Sequence, residues 1–187
     1  MKRPDISPPP NPKTPLGALH ALAANLILKP CDMIVHENGK SAEIIAAHAD
    51  CQRRLVGRKG QNINALKEIA AWLGFKDLIL AEPDPRTVGL GAPCEYPRQG
   101  ANLRESMEVR AFFRQITAAL FEAAGCNVGV DVGTDETAGE IFIACTLANN
   151  ARPAGNIPNP ETAAAIAKIL RGLAVRHHWQ DIQFSCE

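Results

Sequence analysis

Apolar residues recur along this chain at two spacings, three to four in some stretches and two or one in others, and the two periods mark out its elements. From Pro15 to about Leu28, Leu16, Leu19, Leu22, Ala23 and Leu26 recur at three and four, which predicts a helix with Thr14 as its cap and Pro30 as its stop. "CDMIVHE" and "AEIIAAHA" are short apolar runs joined by Asn38-Gly39, a pair that supplies the positive φ of a tight turn, so they predict a hairpin. "DCQRRLVG" predicts a brief helix capped by Asp50. From Gln61 to Leu73 the residues Ile63, Leu66, Ile69, Ala70 and Leu73 form one stripe of a further helix, Gly74 closes it, and "KDLILAE" predicts a strand.

The second half repeats this order. A helix is predicted from Leu103 to Ala124 on Val109, Phe112, Phe113, Ile116, Leu120 and Phe121; "CNVGVDV" and "GEIFIACTL" predict strands; Asn159-Pro160-Glu161 starts a helix to about Val175; and "DIQFSC" predicts a last strand. Setting "AEIIAA" on "GEIFIA" needs an offset of 97 (140 minus 43), and setting "LILAE" on "IQFSC" needs 104 (182 minus 78), so copy two carries seven extra residues between Cys145 and Glu161. Before the first copy, residues 1–15 are proline-rich with almost no apolar mass and are expected to form a disordered arm. Between the copies, residues 83–102 are rich in Pro, Gly and Asn without periodicity and predict a linker. The expected class is α+β in two units, 16–82 and 103–187.

Composition changes this picture little. The chain has 187 residues, 46% of them hydrophobic, and its 20 basic and 20 acidic residues sum to zero, so any polyanion site must be local. The six cysteines form no CxxC pair and are expected to be small apolar residues in a reducing cytoplasm. No run of eighteen apolar residues occurs and the N-terminus has no signal-like apolar region, so neither membrane insertion nor export is expected.

The local charge stands in "RLVGRKGQNINAL", residues 54 to 66. Gly57 and Gly60 flank Arg58 and Lys59 between two predicted helices, after a predicted hairpin, with Val56 and Ile63 on either side. From Asp50 to Glu68 there are five basic residues (Arg53, Arg54, Arg58, Lys59, Lys67) and two acidic ones (Asp50, Glu68), a segment of +3 in a neutral chain. Glycine at both positions lets a phosphate approach the main chain, and the amides of the helix that follows can face it.

"DCQRRLVGRKGQNIN" resembles the signature of the K-homology (KH) family of single-stranded nucleic-acid binders: two aliphatics, Gly-x-x-Gly, two residues and an aliphatic. The predicted order of elements is similar to the prokaryotic type II arrangement, well over 16–82 and only in order and apolar pattern over 103–187. The resemblance implies two type II KH-like units (helix-strand-strand-helix-GxxG-helix-strand), each a three-stranded sheet with helices on one face. It also implies that the GxxG turn clamps the backbone of about four nucleotides while bases lie beside the central strand. On that basis Gly57, Arg58, Lys59, Gly60, Gln61 and Asn62, supported by Arg53, Arg54 and Lys67, are expected to bind single-stranded RNA, with single-stranded DNA as an open alternative. Replacing Gly57 or Lys59 by Asp is expected to weaken that binding and leave the fold intact. Leu55, Val56, Ile63, Ile44 and Ile45 are candidates for groove or core. Trp72 and Phe75, the aromatics of this unit, are placed away from the turn.

The second copy has "TLANNARPAGNIPNPE" where the turn should be, without GxxG and with one basic residue, so only the first copy is expected to hold a strand. The second copy or the proline-rich arm would then serve a protein contact. The rival expectation is an interaction or dimerisation module in which the turn is a relic. His177-His178 is not expected to hold a metal, because neighbours on a strand point to opposite faces; the four acids of "VDVGTDETAGE" lack calcium-loop spacing and predict a hairpin turn; and "GLG" at 89 lacks a strand-to-helix setting. Neither a catalytic arrangement nor a cofactor site is expected.

Overall fold

The computed structural model describes residues 10–27, 29–91, 105–147 and 157–187. The parts of the arm and linker at 1–9 and 92–102, and most of the stretch that replaces GxxG in copy two, lie outside them. Among the described residues, five α-helices and two three-stranded sheets make an α+β fold. The first half runs α1 (Pro15–Leu26), β1 (Met33–Asn38), β2 (Ser41–Ala46), α2 (Ala49–Val56), α3 (Gln61–Trp72) and β3 (Leu78–Leu80). The second runs α4 (Ser106–Ala123), β4 (Val128–Asp135), β5 (Glu140–Leu147), α5 (Pro160–Arg176) and β6 (Asp181–Cys186).

The two sheets have one topology: β1-β2-β3 and β4-β5-β6, with the first pair antiparallel and the second parallel. Their registers differ. Ile44 stands opposite Leu80, and the offsets of 97 and 104 would set Ile141 opposite Phe184, yet Ile141 stands opposite Ile182. Because side chains alternate with period two, this two-residue displacement leaves every residue on its original face.

Alternation decides which face is covered. Met33, Val35, Ala42, Ile44, Ala46 and Leu78 point to the helices in the first sheet, as do Val132, Ile141, Ile143, Cys145 and Ile182 in the second, and all are buried. The outer faces carry His36, Glu43 and Ile79 on one side and Asp131, Phe142 and Gln183 on the other. Helices lie between the sheets: α1 packs on α4 and α5, and α3 packs on α5. Trp72 of α3 meets Phe121 of α4 edge to face at 5.3 Å, and Thr162 of α5 donates to Glu68 of α3 at 3.1 Å. The buried residues of both halves form a single apolar cluster. This explains α1, whose residues from Gly17 to Leu26 are all buried: a mostly apolar helix, polar only at His20 and Asn25, needs neighbours on every side.

Several local expectations shift. Thr14 does cap α1, its hydroxyl accepting from the Gly17 amide at 3.2 Å, but the helix ends at Leu26. Asp50 does not cap α2. His48 holds that position without a side-chain bond, and Asp50, inside the first turn, pairs with Arg53 at 2.7 Å. In the first hairpin Asn38 pairs with Ser41, so the turn is Gly39-Lys40 with positive φ only at Gly39, the type II′ pattern. Residues 83–91, expected to begin a linker, lie against the first sheet: the amides of Asp84 and Gly91 donate to Ala46 and Cys31, and Gly89 donates to the Asp32 carboxylate at 2.9 Å. A Cβ on Gly91 would come within 1.9 Å of the Met33 carbonyl oxygen, so this close pass requires glycine. The arm's end is also ordered, since Asn11 accepts from both the amide and the hydroxyl of Thr14, and Lys13 pairs with Glu122.

Two buried polar groups of the second half lead to stability predictions. The Thr117 hydroxyl is fully buried in α4 with no hydrogen-bond partner among the described residues. Thr117→Val keeps the shape and removes an unpaired hydroxyl, so it is expected to stabilise the protein by about 1 kcal/mol in urea unfolding. His177, expected on a strand, ends α5 instead: its ring is buried edge-on against Phe112 at 5.6 Å, while His178 is exposed with φ of 68°. The two rings therefore do not converge on one ion. Burial, aided by Arg176 and His178, holds the His177 imidazole down at about 4. A base whose folded value is depressed adds stability above its unfolded value near 6.5, and that stability is lost as pH falls toward 4. From pH 7 to pH 5 this residue is expected to cost about 2 kcal/mol, and His177→Phe should flatten that part of the stability–pH profile.

Candidate nucleic-acid interface

α2 and α3 meet at the 57–60 turn, and the backbone there explains both glycines. Gly57 ends α2 at φ 71°, ψ 175°, with its amide donating to the Arg53 carbonyl. That region is accessible essentially to glycine alone. Arg58–Gly60 form a single tight turn in which Lys59 (φ 53°, ψ 30°) and Gly60 (φ 76°, ψ 13°) are left-handed, and Gly60 donates back to the Gly57 carbonyl at 3.2 Å. α3 then begins with no side-chain cap and no acid in its first turn, which leaves its positive end open to an anion.

The expected site residues divide into two groups. Arg58 and Lys59 project from the turn, both exposed, and neither has a carboxylate partner among the described residues; the same holds for Arg54. Gln61, also exposed, is the first residue of α3. The other residues are occupied within the protein. Arg53 pairs with Asp50, and Lys67 lies 3.8 Å from the Asp77 carboxylate. Asn62 donates its side-chain amide to the Arg54 carbonyl at 2.9 Å, tying the start of α3 to the end of α2.

That bond changes the reason for Gly57. A Cβ there would lie 2.7 Å from Asn62 Cγ and 2.8 Å from its Nδ2, whereas a Cβ on Gly60 would meet nothing nearer than 3.7 Å. Gly57 makes room for the Asn62 clamp inside the turn, and only Gly60 is open on its outer side. Gly57→Asp is therefore expected to strain the turn as well as reverse its charge, whereas Lys59→Asp is the variant expected to leave the fold intact.

Burial sorts groove from core. Leu55 and Ile44 are fully buried, and Ile45 is on the outer face of the sheet, away from the helices. Val56 and Ile63 remain, half-buried, one on each side of the turn. Trp72 is about 18 Å along α3 from Gly60, at 1.5 Å per residue, and packs on Phe121, away from the turn. The structure brings one unforeseen cation to α2. Lys29, from the segment before β1, lines a pocket with His48, Arg53 and Arg54.

The Asp135 carboxylate accepts from the amides of Thr137 and Ala138, which closes the β4–β5 hairpin. Cys31, Cys51, Cys126, Cys145 and Cys186 form no disulfide, and burial pushes Cys145 up to about 12, far from a reactive thiolate. Among the described residues no group of three or more His, Cys, Asp or Glu side chains is placed to hold a metal ion, and no helix is long and apolar enough to cross a membrane. Compared with models of protein families, with curated proteins and with solved structures, the chain matches none.

Proposed function

We propose that this chain is a non-catalytic, cytoplasmic binder of single-stranded RNA built as two type II KH-like units, of which the first holds the strand at Gly57–Gly60. The observation that carries this reading is an exposed turn with two uncommitted cations, Arg58 and Lys59, seated on the uncapped start of α3. A phosphodiester can approach it closely because nothing projects from Gly60, and the amides of α3 and the two side chains supply donors and charge. Val56 and Ile63 offer apolar contact for bases. The order of elements, the central β2 and the placing of helices on one face of each sheet agree with the KH reading. In the second half the equivalent sequence has no GxxG, and the acids of the β4–β5 hairpin disfavour phosphate.

The test is a titration of labelled single-stranded RNA by the full chain over a range of salt concentrations. Affinity is expected to fall as salt rises, with a slope of about 0.7 per phosphate neutralised, and duplex RNA of the same sequence should compete poorly. A competition with single-stranded DNA separates the two nucleic acids. If no salt-dependent binding is seen, the interaction-module reading replaces this one.

A further inference from the structure

α2 has a second feature beyond the turn at its C-terminal end. Around its first turns opens a pocket of about 540 Å³ lined by Lys29, His48, Asp50, Cys51, Arg53 and Arg54. Its charges are unevenly committed. Asp50 is paired with Arg53; Asp32, buried behind, accepts from the Gly89 amide and lies 3.8 Å from His48. Lys29 and Arg54 have no carboxylate partner among the described residues. Two free cations therefore face a concave space, at a helix start that His48 leaves without a side-chain cap. Arg54 belongs to both places, since its carbonyl is held by Asn62 at the turn and its side chain lines the pocket. From His48 to Gly57 is about 13 Å along the helix at 1.5 Å per residue.

We infer that this pocket is a phosphate subsite for the same strand, with Lys29 and Arg54 as its cationic groups. The inference rests on the proposed RNA-binding reading and extends the contact beyond the turn, from four nucleotides to a longer stretch. A concave cationic pocket concentrates a polyanion's charge where a flat patch would not. Lys29 is its diagnostic residue, because it is exposed, lies outside every helix and strand, and belongs to neither the turn nor the core.

The experiment measures binding of the full chain to labelled RNA of ten nucleotides, in 5′-hydroxyl and 5′-phosphorylated forms, and to a 5′-hydroxyl tetranucleotide. Lys29→Ala is expected to weaken the decanucleotide about tenfold and lower its salt slope by about 0.7, to leave the tetranucleotide within about twofold, and to be rescued by Lys29→Arg. A loss with both decanucleotides places an internal phosphodiester in the pocket; a loss with the phosphorylated one alone places the strand's end there; either supports the subsite. Decanucleotide binding like the wild type's, or an equal loss with the tetranucleotide, overturns it. Lys59→Asp in the same series keeps the two readings separate: if it has no effect, the turn reading fails, whatever Lys29→Ala does.

Discussion

Reversing both cations of the turn, Arg58→Asp with Lys59→Asp, is expected to lower affinity for single-stranded RNA about a hundredfold and to leave the thermal midpoint almost unchanged. The first half follows from two charge-assisted phosphate contacts, each contributing about 1.5 kcal/mol at an exposed site, or about tenfold apiece. The second follows from the geometry. Both side chains are exposed without carboxylate partners among the described residues, and changes at such positions usually move stability by under about 0.5 kcal/mol. Lys59 sits at φ 53°, ψ 30°, a conformation aspartate tolerates better than lysine does, so its replacement adds no backbone strain. Anisotropy titrations should also show the salt slope reduced by about 1.4, two contacts at about 0.7 each. Wild-type binding by the doubly reversed protein would mean that the turn is not where RNA is held.

The opposite pattern is expected at Gly57. Gly57→Ala should destabilise the fold by about 3 kcal/mol, since φ 71° with ψ 175° is strained for any L residue and the new Cβ would press on Asn62 at 2.7 Å. Gly60→Asn should cost less than about 1 kcal/mol, because the left-handed region suits asparagine and the Cβ meets only ordinary contacts, at 3.7 Å and beyond. Urea unfolding of the two variants measures the difference. Equal costs would show that the Asn62 clamp does not define the turn. RNA binding is informative only for the second variant, because the first alters the turn itself.

Much of this was legible in the chain. Each α-helix and strand among the described residues lies where the sequence leads one to expect it, α1, α3 and α4 on apolar period and α2 on its place between the hairpin and the glycines. What escaped depends on contacts distant in sequence. The sequence shows Asn62 as a polar residue after GxxG; only the return of α3 across α2 brings it to the Arg54 carbonyl. Lys29 precedes a proline and carries no local signal, and reaches α2 because β1 and β2 fold back between them. The cap of α2 is His48, two residues before the expected Asp50, within the usual uncertainty of a helix end. Arg53 and Lys67 were counted as free charges because composition cannot show that Asp50 and Asp77 lie beside them.

The common apolar interior between the sheets has a consequence for how such a protein persists. Two like subunits joined through α1, α3, α4 and α5 as separate chains would come apart on dilution, whereas here one polypeptide holds the partners at a fixed high effective concentration. The two halves therefore stay paired whatever the protein concentration, so a change in one half cannot cost it the other by dissociation.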